Sequence, residues 1–142
     1  MPFIVRLARD AGWAPLCVLV LHEIGARMIG HEPYVDPSMH FLGGAAATFF
    51  FRYAFSQPDR WPGPVSAAAL DGLSLGVTCV LAIFWEFAEV FVERLVVRQS
   101  PFDLADTMSD LALGLCGSLV YLGVRRLRRG PEGGAGYDGL RP

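Results

Sequence analysis

The stretch Ile83 to Asp110, IFWEFAEVFVERLVVRQSPFDLADTMSD, decides how the chain is read. Glu86, Glu89 and Glu93 recur at i, i+3 and i+7, so a helix carries all three on one stripe. Asp103, Asp106 and Asp110 repeat that spacing after a turn at Ser100-Pro101. Around the acids stand Phe84, Phe87, Val90, Phe91, Leu104 and Met108. A carboxylate set in sequence this apolar is expensive, and it marks a functional position by default.

Working outward, the composition agrees with a membrane setting. Hydrophobic residues make up 53% of the 142 positions and charged residues 18%, a balance of membrane rather than soluble domains. The length allows one domain. A net charge of −2 suggests no nucleic-acid surface. All 12 basic residues are Arg, which excludes Schiff-base or phosphate-loop lysine chemistry. Cys17, Cys79 and Cys116 are widely spaced in apolar segments and are expected to be buried, reduced thiols. Arg6 and Arg9 precede an apolar run, but His22, Glu23 and Arg27 within it favour a retained helix over a cleaved signal.

The chain divides into four long helical segments. After a short amphipathic lead-in, the first spans about 13–29, with Trp13 at an interface and Glu23 paired to Arg27. His22 is read there as hydrogen-bonded packing. Asp36-Pro37 reads as an N-cap and first-turn proline for a second helix to about Phe55. Gly43, Gly44, Ala47 and Thr48 on it suit close helix packing. The turn-rich SQPDRWPGP from Ser56 to Pro64 separates it from a third helix over about 65–97. That helix carries a Gly72/Gly76 pair expected to pack tightly, and Asp71 at the edge of the span. Ser100 to Asp103 starts a fourth helix that ends at Arg125, Arg126, Arg128 and Arg129. Residues 1–129 form the transmembrane domain, and 130–142, rich in Gly and Pro, are expected to be a disordered cytoplasmic tail.

The expected fold is an all-α integral membrane bundle of four transmembrane helices with both termini cytoplasmic. The arginines after the fourth helix, with Arg6, Arg9, Arg52 and Arg60, define the cytoplasmic side. Four crossings then bring His22, Asp36, His40, Glu86, Glu89, Asp106 and Asp110 to the outer face.

Carboxylates with histidine are the ligand set for zinc, manganese or non-haem iron. His40, Glu86 and Asp106 are the expected metal ligands, and Glu89 and Asp110 the expected catalytic carboxylates. Asp36 and Asp103 are accounted for as caps. Three readings of the set stay open: a divalent metal site hydrolysing a lipid-linked or small substrate, a proton-coupled transporter, and a structural or assembly subunit with a polar packing network. The expected partners are the lipid bilayer and a second copy or membrane complex through small-residue helix faces.

Asp36-x-x-x-His40 before a Gly-rich helix, Trp85-Glu86-x-x-Glu89, and Asp103-x-x-Asp106-x-x-x-Asp110 with Gly114 beyond form a pattern over about 36–120. In it the chain resembles the YjdF-like family of small bacterial inner-membrane proteins, whose members tend to be longer. The resemblance implies a multi-pass protein of the bacterial inner membrane and supports this residue choice, without implying a reaction.

Overall fold

The computed structural model describes residues 2–28, 35–57, 60–92, 94–95 and 103–129. Among them the chain is all-helical: α1 Phe3–Asp10, α2 Trp13–Met28, α3 Val35–Phe55, α4 Ala67–Val92 and α5 Leu104–Arg129. The amphipathic lead-in is α1. The tail and the Ser100-Pro101-Phe102 part of the expected capping box lie outside the described residues, as does the Arg27 side chain. Asp103 does cap α5, its Oδ1 accepting from the Ala105 amide at 2.9 Å.

The central element is α3, which packs most extensively on α5 and also against α2 and α4. Glycine makes the α3–α5 crossing possible. A Cβ added at Gly44 would overlap the Gly114 carbonyl, and one at Gly117 would overlap the Phe41 carbonyl. Ser118 Oγ donates across the same crossing to Gly44 O at 3.1 Å, and within its own helix to Gly114 O at 2.9 Å. On the α4 side, Thr48 Oγ1 donates to Thr78 Oγ1 at 3.1 Å, and Thr78 Oγ1 donates to Ser74 O at 2.9 Å. Small residues and hydroxyls at crossings are how helices associate where hydrophobicity gives no net drive.

The Gly72/Gly76 pair does not pack. Both residues are exposed, and a Cβ at either would meet open space. The close-approach positions of α4 lie instead on the Ser74/Thr78 face, two residues on and so roughly the opposite side of the helix. Two of the thiols also differ from expectation: Cys17 and Cys116 are exposed, and Cys79 is half-buried.

The interior is polar or small and the exterior is large and apolar. Buried residues include Ala14, Ala46, Ala47 and Ala54 together with Thr48, Arg52, Asp71, Ser74, Glu86, Asp110 and Ser118. Phe84, Phe87, Phe91, Leu16, Leu119 and Val120 are exposed. A water-soluble domain reverses this order.

At one end of the bundle, Asp71 is more than an edge marker. Its carboxylate accepts from Arg52 Nε at 2.7 Å, Arg125 Nη1 at 3.0 Å and Arg126 Nε at 3.0 Å. Asp71 and Arg52 are buried, whereas Arg126 reaches the surface. The arginines do not end the last helix: α5 continues through them to Arg129, and two of them tie α5 to α4 and α3. The same end carries the α1 contact, with Tyr53 hydroxyl donating to Asp10 Oδ2 at 2.7 Å. Hydrogen bonds from Arg9 first, and Tyr53 next, hold the Asp10 carboxyl below the usual carboxylate range.

Candidate functional site

The opposite end of the bundle gathers the ionisable residues. The C-terminal part of α2, the start of α3, the end of α4 and the start of α5 meet there, because consecutive long helices run antiparallel. Asp36 and His40 stand i, i+4 on α3 and so share a face. α3 begins at Val35, one residue ahead of Asp36, so Asp36 sits in the first turn rather than capping it. Its carboxylate turns to the imidazoles, with Oδ1 3.6 Å from His40 Nε2 and 3.4 Å from His22 Nε2.

His40 is the hub. Its Nε2 faces Asp36 and, at 3.7 Å, Asp110 Oδ2; its Nδ1 faces Glu86 Oε1 at 3.6 Å. Two sets of possible ligand atoms therefore share this imidazole: Asp36, His40 and Asp110 on one side, His40, Glu86 and Glu89 on the other. Within each set the atoms lie within 4.8 Å of one another. These separations exceed good hydrogen bonds. They suit donors around a common cation, since tetrahedral ligands about 2.1 Å from zinc stand roughly 3.4 Å apart.

Burial grades across the site. Side-chain exposure is 7% for Glu86, 6% for Asp110 and 11% for His40, against 48% for Asp36. Glu86 and Asp110, packed this deeply, lose hydration, a cost that a cation or protons would offset.

His40, Glu86, Glu89 and Asp110, all expected from sequence, are thus brought together. Asp106 is not part of either set. It is exposed, one helical turn before Asp110 towards the start of α5. Glu93 lies outside the described residues. Asp36 and His22 are the residues that cap and packing readings passed over. The signal for Asp36 was its i, i+4 spacing to His40. Helix alternation places His22 on this face, although its local reading is packing; its ring also stands 6.4 Å from Trp85 and so links α2 to α4.

Beside this cluster runs a cavity of about 310 Å³. His22, His40 and Asp110 stand at its polar end, and its remaining walls are mostly apolar or small.

An exterior of large apolar side chains, a polar interior, and two helices long and apolar enough to cross a bilayer, α4 and α5, define a helical membrane protein. The chain belongs to the family described as Predicted membrane protein (DUF2238), whose model matches residues 2–129. No curated protein and no solved structure matches it.

Proposed function

We propose that the His40 end of the bundle binds a divalent metal, zinc, manganese or iron, and hydrolyses a lipid-linked or small substrate. The observation that carries this reading is the pair of ligand sets sharing His40. The Asp36–His40–Asp110 side is assigned to the metal because His40 and Asp110 line the cavity, where a substrate could reach them. Glu86 then faces the other imidazole nitrogen, its Oε1 3.6 Å from Nδ1, the position from which a carboxylate orients metal-bound histidines. Glu89, on that same side, does not line the cavity and has no catalytic role in this reading. Asp110 is thereby a ligand rather than a base, and Asp106 has neither role. A divalent cation held there would polarise a carbonyl or phosphoryl oxygen and acidify water.

The same proposal sets the chain in a bacterial inner membrane, crossing four times with both termini cytoplasmic and the cluster on the outer face. The arginine-rich end built on Asp71 supports that orientation. α2 is shorter, and α3 carries charge near both ends, but α3 is enclosed by its neighbours and needs little contact with lipid. A reporter fused after Arg129 is expected to be active only in the cytoplasm, and periplasmic activity would reverse the orientation.

Metal content of the purified protein tests the site. His40→Ala and Asp110→Asn are expected to lose the metal while remaining membrane-inserted, since an amide keeps shape but lacks the charge a hard cation needs. Asp106→Asn is expected to keep it. A wild-type protein that binds no divalent metal, with both amide variants as stable as wild type, would leave the acids as a packing network. Proton uptake abolished by Asp110→Asn, in a protein holding no metal, would indicate a proton path.

A further inference from the structure

The cavity is longer than a small polar substrate needs. It follows three helices in parallel, from His22 to Pro15 on α2, His40 to Ala47 on α3, and Trp85 to Thr78 on α4. Each run covers seven steps, about 10 Å at roughly 1.5 Å per residue. Its floor is Gly43, Gly44 and Ala47, and its sides include Val18, Leu19, Leu81 and Ala82. α2 and α4 are not a closely packed pair among the described residues, although His22 and Trp85 approach at the polar end. The result is a slot with metal-ligating chemistry at one end and hydrocarbon-like walls along the rest.

We propose that this slot holds the head-proximal part of a single fatty acyl chain, with the oxygen-bearing head of the acyl lipid at the His40 cluster and the rest of the chain running out into the bilayer. This deepens the proposed function by naming its substrate class, and it rests on that reading for the role of the head. Ordinary bilayer lipid carries acyl chains and ester oxygens too, so competition by free palmitate separates a specific acyl site from lipid that merely wets the slot. An acyl carboxylate or ester oxygen at the polar end would meet the four carboxylates and two imidazoles of the cluster, and a cation held by those side chains would receive it. Gly43 keeps the slot open: a Cβ there would meet nothing nearer than Val18 Cγ1 at 4.0 Å, so a larger side chain would enter the slot without striking backbone.

The test uses the full chain in phosphatidylcholine vesicles, a palmitate analogue with a photoactivatable diazirine in its chain, and mass-spectrometric mapping of the adducts. Labelling is expected at slot residues such as Val18, Leu19, Leu81 and Ala82, and excess palmitate should compete it away. Gly43→Leu and Ala82→Leu are each expected to cut the competed labelling about ten-fold or more, with metal content and melting temperature kept. Labelling spread over Phe84, Phe87 and Val120 without competition would overturn the proposal, as would unchanged slot labelling in both variants. Failure of the metal reading shows separately: a wild-type protein without metal that still gives competed slot labelling retains the chain site and loses the hydrolytic role.

Discussion

Asp71→Ala is expected to destabilise the protein by about 3–5 kcal/mol, the usual cost of removing one partner from a buried ion pair. Asp71 is the shared acceptor for Arg52, Arg125 and Arg126, which come from two other helices. Without it, positive charges packed at one end of α3, α4 and α5 face one another with no carboxylate between them. Asp71→Asn keeps the volume and one acceptor oxygen but turns an NH2 towards a guanidinium, so it is expected to lie close to the alanine variant. Arg126→Ala is expected to cost far less, because Arg126 is 63% exposed and its pairing is screened. Melting temperatures in detergent give the ranking. An Asp71→Ala protein as stable as wild type would show that the cluster contributes nothing to the fold. The site at the other end lies on the same helices, so metal content of Asp71→Ala also reports whether the damage stays local.

The second large effect is steric. Gly44→Ala and Gly117→Ala each place a Cβ against backbone, the Gly114 carbonyl in one case and the Phe41 carbonyl in the other. Backbone cannot rotate away as a side chain would, so α3 and α5 must separate. Overpacking of this kind costs about 1–3 kcal/mol per site. Separation would also weaken the Ser118–Gly44 hydrogen bond, which crosses the same junction. Gly72→Ala and Gly76→Ala serve as controls: both positions face open space and are expected to be neutral or slightly stabilising, since alanine is the better helix former. Four variants of equal stability would mean that the α3–α5 crossing is looser than described.

These two effects also show what could be read from sequence. Gly44, Ala47 and Thr48 were legible as contact positions because small residues on an apolar helix have few other uses. Gly72/Gly76 has the same motif spacing yet faces outward. Local pattern says that a helix can be approached closely, and only tertiary arrangement decides which face is. The gathering of His40, Glu86, Glu89 and Asp110 was legible because alternation of antiparallel helices puts their ends together whatever the packing details. Asp106 and Asp110 could not be separated that way. They differ by one helical turn, and small differences in the height and rotation of α5 decide which of them turns inward. Asp36 was assigned to its own helix terminus because capping is the local explanation for an acid before proline. The competing partners, His22 and His40, include one from another helix. Asp71 was missed for a similar reason: its three arginines come from two distant segments and had been used only to infer sidedness.

The central claim, that the His40 end is a metal site, is most directly tested by X-ray absorption at the edge of the metal that co-purifies with the full chain. A stoichiometric ion is expected, with nitrogen and oxygen ligands at about 2.0–2.2 Å and an imidazole signature that is lost in His40→Ala. A shell of sulfur, or a metal signal unchanged by His40→Ala, would contradict it.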